Sequence, residues 1–196
     1  MFINKTVFKR LAKEAYNHDH LIVGNVYEGI VVSGEYWKIF APGGDMPNWF
    51  KAALIELIGE LPDKDIVLEY RKKEALQQRL YENWEFDLHA LFMKAKNPYT
   101  ATPVLYEKGW MGYYFFQSNT GAEVLAIPEY LFKMVDFSSM ENDEFRPAGP
   151  STDERESWFY WSNERCVLGL ICVKPHDANA KAVMDALSVI DFGEGE

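Results

Sequence analysis

Val7, Phe8, Leu11, Ala12, Ala15 and Tyr16 recur at helical spacing, which predicts an amphipathic helix over 5–16 capped by Asn4. Lys5, Lys9 and Lys13 fall four apart and line its opposite side. Apolar runs at 21–23 and 27–32 read as strands with Gly24-Asn25 as the turn between them, and 36–40 returns after Ser33-Gly34. Pro47 opens a second helix that buries Phe50, Ala53, Leu54, Leu57 and Ile58 and stops at Gly59 and Pro62. A strand is expected at 65–70; 71–82 fits a helix or the turn and return of a hairpin equally; 87–95 is helical, with Leu88, Leu91, Phe92 and Ala95 on one face. Beyond Asn97-Pro98, strands are expected at 103–107, 110–117 and 122–127, with Asn119-Thr120-Gly121 turning between the last two. Pro128 opens a short helix using Tyr130, Leu131, Met134 and Val135. The polar, acidic stretch 138–156 reads as an exposed loop. A hairpin over 158–173 follows, then a helix capped by Asp177 that buries Val183, Ala186, Leu187 and Ile190, and a fraying tail at 193–196.

The same programme runs twice. A helix, a hairpin and a second helix occur near each end, and both hairpins turn on Ser-x-Glu, at Ser33-Gly34-Glu35 and Ser162-Asn163-Glu164. The helices after them carry Ala53-Leu54 and Ala186-Leu187. Duplication of this kind predicts an α+β fold of two pseudo-repeated halves, 1–97 and 98–196, each with helices packed on antiparallel sheet and joined near Asn97.

The composition fits such cores: 196 residues, 48% hydrophobic and 15% aromatic, exclude a disordered chain. No apolar run approaches the roughly 18–20 residues of a membrane span, so no membrane is expected. Met1-Phe2-Ile3-Asn4 does not begin a secretory leader, and Cys166 and Cys172 share one predicted strand, badly placed for a mutual disulfide. Two thiols in a reducing cytoplasm are the expectation. Net charge is 20 − 30 = −10, which argues against broad nucleic-acid binding by the whole surface. Yet Lys5, Lys9, Arg10 and Lys13 stand against Glu14 alone in residues 1–17. This basic helix suits a confined contact with phosphates, and equally a solvated face.

Catalytic chemistry has little to start from. His18-Asp19-His20 has two imidazoles two apart, but His89 and His176 lie far away, so a polar turn explains it better than a metal site. No Gly-x-Ser-x-Gly elbow occurs, and Ala41-Pro42-Gly43-Gly44-Asp45 lacks the lysine of a phosphate loop. No enzyme activity, catalytic residue, metal or cofactor is expected. Trp158, Phe159, Tyr160 and Trp161 could stack bases, but with no interleaved cation they read better as burial on two strand faces.

Two stretches carry a resemblance. Residues 29–62, above all Val32-Ser33-Gly34-Glu35-Tyr36-Trp37 and Ile55-Glu56-Leu57-Ile58-Gly59-Glu60-Leu61-Pro62, resemble small uncharacterised proteins of phages and mobile elements. Gly149-Pro150, Val167-Leu168-Gly169-Leu170-Ile171 and Val173-Lys174-Pro175 resemble the last hairpin of such proteins, some of which are similar to the sliding clamp, the β subunit of the replicative polymerase. The resemblance implies a DNA-clamp-like or scaffold protein without enzymatic activity. Duplex DNA would meet the basic first helix at Lys5, Lys9, Arg10 and Lys13, and replication or host proteins would be partners. Three copies would supply the six units of a homo-oligomeric ring. The alternative of the same fold is a protein-binding module, a host-interaction factor that binds no DNA.

Overall fold

The computed structural model describes residues 1–72, 77–79, 86–140, 146–153, 155–190 and 192. Helix α1 (Lys5–Asn17) starts where Asn4 Oδ1 accepts from the Thr6 and Val7 amides, at 3.1 Å each. Phe8, Leu11, Ala12 and Ala15 are its buried stripe. Strands β1 (Leu21–Val26), β2 (Gly29–Ser33) and β3 (Trp37–Pro42) form a meander, followed by α2 (Asn48–Ile58). The turn between β1 and β2 is Tyr27-Glu28, not Gly24-Asn25. Both turn residues have positive φ, 53° and 59°, as a type I′ hairpin turn requires. Gly24 instead lies inside β1, where an added Cβ would come within 2.8 Å of Val67 and 2.9 Å of Val31. It is a packing glycine between two neighbouring strands.

Strand β4 (Ile66–Tyr70) pairs with β5 (Gln77–Arg79), which puts the ambiguous stretch on the hairpin side; 73–76 and 80–82 lie outside the described residues. Helix α3 (Leu88–Lys94) precedes β6 (Asn97–Lys108), so Asn97 opens a strand. Strands β7 (Met111–Ser118) and β8 (Val124–Pro128) follow, then α4 (Glu129–Phe132) and a 3-10 turn (Phe137–Met140). The expected loop contains a strand, β9 (Ala148–Thr152), pairing with β10 (Trp158–Asn163). Gly149 and Pro150 hid it: they sit where the register shifts, the place a strand tolerates a residue without N–H. Residues 141–145 and 154 of that stretch lie outside the described residues. Strand β11 (Cys166–Ile171) and α5 (Ala178–Leu187) complete the chain; α5 buries Ala180 and Leu187, while Ala186 and Ile190 are exposed. The tail 193–196 lies outside the described residues.

The described strands form one sheet in the order β5-β4-β1-β2-β3-β11-β10-β9-β6-β7-β8, and all the pairings between them are antiparallel. Ser33 faces Lys38 across the first hairpin and Ser162 faces Val167 across the second, so both turn at the same offset from Ser-x-Glu. The hairpins meet edge to edge through their last strands. Lys38 faces Gly169, Ile39 faces Leu168 and Phe40 faces Val167. The helices after the hairpins then diverge. Helix α2 sends Phe50 and Leu54 into the cluster that holds Phe8, Ile39 and Leu168, whereas α5 packs Leu187 with Phe115 and Val124 on another face of the sheet.

Alternation along the strands feeds two sides. Ile39, Leu168, Phe116, Leu125, Phe159 and Trp161 join Phe2, Phe8 and Phe132 in the main core; Phe8 stacks on Phe50 with ring centroids 4.6 Å apart. Phe40, Val31, Val67 and Val167 face the other way and are covered by Phe86 and Leu88. Trp158 and Tyr160 take that second side with Leu91 and Ala95, as alternation predicts for the aromatic run. Among the described residues no helix is long and apolar enough to cross a membrane.

Two features of this packing can be measured. Phe8 is fully buried, so Phe8→Ala should cost about 3–5 kcal/mol in urea unfolding, and Gly24→Ala about 1–3 kcal/mol through overpacking. Asp177 accepts from the Tyr106 hydroxyl at 2.6 Å, pairs with Lys108, and caps α5 through the Asn179 and Ala180 amides. Lys108 above all, then Tyr106, holds this carboxyl far below the usual range. A depressed carboxyl stabilises the fold above its ordinary pKa of about 3.9 and stops doing so as pH falls through its folded value. Asp177→Asn should therefore flatten the acid limb of a Tm-versus-pH series.

Candidate functional site

Beyond β11 the strand changes neighbour. The Ile171 amide donates to Tyr36 O at the start of β3 (3.0 Å), and the Val173 amide donates to Ala126 O of β8 (2.8 Å), with Ala126 N–H returning to Val173 O at 3.1 Å. The six strands from β11 through β8 thus close on themselves, and β3 and β8 part company at this fork. Strands that diverge from one shared strand leave a wedge between them. Here it is an open groove of about 590 Å³, floored by Ile171 and Val173.

Aromatic and aliphatic side chains wall it. Tyr36 comes from the β2–β3 turn, Tyr130 from α4, Trp110 from the turn between β6 and β7, where Gly109 has a φ of 64°, and Met111 from the first position of β7. Trp110 is 89% exposed, far more than the other large apolar walls, Tyr36 at 40% and Tyr130 at 42%. Gly112 also lines the groove, and an added Cβ there would displace the Glu129 carboxylate, whose Oε2 would lie 2.5 Å away. The rim is charged but paired: Lys133 Nζ lies 2.6 Å from Glu129, and Arg10 reaches Glu14 at 3.0 Å and the Tyr130 carbonyl at 3.5 Å. Tyr36 donates to Glu35 at 2.6 Å, which raises its phenol pKa. Burial is the first cause raising that of Tyr130, with Glu35 and Glu14 adding to it. Both phenols enter the groove neutral.

The four basic residues expected to meet phosphates are all exposed on α1. Lys9, Arg10 and Lys13 border a shallow depression against α2, with Glu56 in it; Lys5 is not among its walls. Lys9 Nζ pairs with Glu56 Oε2 at 3.0 Å, and this bond holds the glutamate below the usual carboxylate range. Arg10 borders the groove as well. The exposed Trp110 was legible as a bulky aromatic at a glycine-flanked turn, Gly109-Trp110-Met111-Gly112, but strand periodicity drew it into β7. Its convergence with Tyr36 and Tyr130 had no local signal.

His18 closes α1, its Nδ1 2.8 Å from Glu14 O, and His20 Nε2 lies 4.0 Å from Glu35. They border a smaller cavity of about 190 Å³ that shares Tyr36 and Tyr130 with the groove. Among the described residues no three His, Cys, Asp or Glu are placed to hold a metal. Both cysteines are free; burial pushes Cys166 up to about 12 and raises Cys172 further, with Glu156 and Asp153 adding to the latter. Such thiols stay protonated at neutral pH and are poor nucleophiles.

No protein-family model matches the chain, and no curated protein matches it. The chain is similar to the crystal structure of a DNA polymerase III subunit beta DnaN sliding clamp from Bartonella birtlesii LL-WM9, at a TM-score of 0.26 and 8% identity, covering 92% of this chain and 66% of the clamp. The chain thus spans just under two thirds of that clamp's length. At so low a similarity the functional reading rests on this chain's own residues.

Proposed function

We propose that the protein is a non-enzymatic protein-binding module that captures a short apolar segment of a partner in the groove at the sheet fork. The observation that carries this is Trp110, a large indole left 89% in water beside a 590 Å³ groove whose other walls include Tyr36, Met111, Tyr130, Ile171 and Val173. Exposed aromatics converging on one concavity are the makings of a binding hot spot. The segment it fits carries two bulky apolar side chains, one against Trp110 and one over Ile171 and Val173. Replication proteins or host proteins are the natural partners if the chain shares its origin with the phage and mobile-element proteins it resembles.

The second reading is contact with duplex DNA through α1 in a clamp-like homo-oligomer. What favours it is that α1 and α2 lie side by side with Lys9, Arg10 and Lys13 on one solvent-facing depression. The equal turning registers of the two Ser-x-Glu hairpins support two related halves, divided near Asn97. The pairing of Lys9 with Glu56 and of Arg10 with Glu14 weakens this reading, since half of the predicted cations are already neutralised within the chain.

Selection of displayed random peptides on the immobilised protein should enrich sequences with two large apolar residues. Trp110→Ala should weaken an enriched peptide about thirtyfold, the effect of losing roughly 2 kcal/mol at a hot spot, while Lys9→Ala leaves it unchanged. Equal binding by Trp110→Ala overturns the groove reading. For the second reading, low-salt binding to a duplex should fall linearly with log salt, and replacing Lys5, Lys9 and Lys13 by Ala should cut the slope by roughly one unit per lost contact. Absence of duplex binding at low salt removes it.

A further inference from the structure

The groove continues past its tyrosine wall. Tyr36 and Tyr130 also line the smaller cavity of about 190 Å³, so one pair of rings borders both concavities. The floor of that cavity is apolar: Leu11, Trp37 and Leu131 line it and are all buried. Its walls carry two carboxylates, Glu14 from α1 and Glu35 from the β2–β3 turn, each about half exposed. Among the described residues that line it there is no lysine or arginine. The carboxylates are only partly engaged. The Tyr36 hydroxyl donates to Glu35 Oε1 at 2.6 Å, while the nearest basic group to Oε2 is His20 Nε2 at 4.0 Å. Arg10 holds Glu14 through one nitrogen, Nη1, at 3.0 and 3.2 Å to its two oxygens. After burial, Glu35 and Glu14 each raise the Tyr130 phenol more than Arg10 lowers it, so the field at the shared wall is negative.

Resting on the groove reading, we infer that this cavity is a cation subsite, and that the apolar segment taken by the groove carries an arginine beside the residue lying over Ile171 and Val173. The methylene stem of a long basic side chain covers an apolar floor, while its charge meets the carboxylate and the aromatic rings at the walls. Arginine suits such walls better than lysine, because a planar guanidinium both stacks on rings and forks onto a carboxylate. Its place in the segment follows from the backbone: the Ile171 amide donates to Tyr36 O at 3.0 Å, so the groove floor adjoins the shared wall there. Trp110 belongs to a different element, the turn between β6 and β7, so the apolar residue against the indole is the other one. An acidic residue in the same position would meet Glu14 and Glu35 as like charges. The subsite thus selects by repulsion as well as by attraction.

Peptides recovered from the display selection test this when remade with Arg, Lys, Ala or Glu beside the apolar pair and titrated onto the intact chain at about pH 8, where imidazole is not a competing cation. The Arg peptide should bind about fivefold tighter than the Ala peptide, as a partly exposed ion pair and a cation–π contact together supply, with Lys between them and Glu weakest. Glu35→Gln keeps an acceptor for the Tyr36 hydroxyl without the charge, and should bring the Arg and Ala peptides together. Glu35→Lys should turn the preference toward the Glu peptide. Equal binding of the Arg and Ala peptides, or an Arg preference that survives Glu35→Gln, overturns the subsite. A probe that needs no groove ligand is N-acetylarginine amide, which at millimolar concentration should shift the amide resonances of His20 and Glu35. Equal shifts with N-acetylglutamate amide, or none with either, overturn the subsite even where no peptide is selected. Failure of the groove reading shows differently, as peptide binding that ignores Trp110→Ala.

Discussion

The antiparallel contact between β3 and β11 is the constraint on which the rest of the molecule depends. It joins residues 37–40 to 167–170, the two segments with the greatest sequence separation among the paired strands. Each strand brings a hairpin already set by its own Ser-x-Glu turn, so one pairing places four strands at once. Because side chains alternate, this register also decides that Ile39 and Leu168 enter the main core together while Phe40 and Val167 go to the opposite side. A slip of one residue would exchange the two sets and leave α1 and α2 facing the wrong surface. Closing so long a loop carries an entropic cost that only tertiary burial offsets.

The groove is a by-product of the same pairing. Strand β11 is longer in effect than β3, and its continuation through Val173 must find another partner or leave polar backbone unsatisfied. Strand β8 supplies that partner, which closes six strands around Phe116, Phe159 and Trp161 and opens the fork beside Tyr36. The exposed indole and the apolar floor therefore share one origin in the chain's change of neighbour at residues 171–173.

Charge takes a smaller role than a net value of −10 and a basic helix suggest. Two of the four α1 cations answer acids of the same molecule: Lys9 reaches to α2 and Arg10 stays on its own helix and at the groove rim. Exposed pairs of this sort contribute little to stability, and each sets a carboxylate beside a cation that an incoming phosphate would meet.

Much of the local structure was legible. Asn4 and Asp177 announced their helices because a cap needs only a side chain two or three residues from the amides it binds. The Trp158–Trp161 alternation followed from strand geometry alone. What misled were residues whose role is set by neighbours far along the chain. Gly24 reads as a turn in isolation and is a packing residue only because Val31 and Val67 flank it; Tyr27-Glu28 makes a turn without the glycine or asparagine that usually marks one. Pro150 conceals a strand that its position at a register shift permits. The amino-acid order by itself thus determined helices, hairpins and the absence of recognisable catalytic motifs, since these depend on contacts a few residues apart. The joining of the hairpins, the ring closure, the partial neutralisation of α1 and the groove under Trp110 were decided by tertiary structure, because each needs side chains or backbone from segments whose separation no local periodicity encodes.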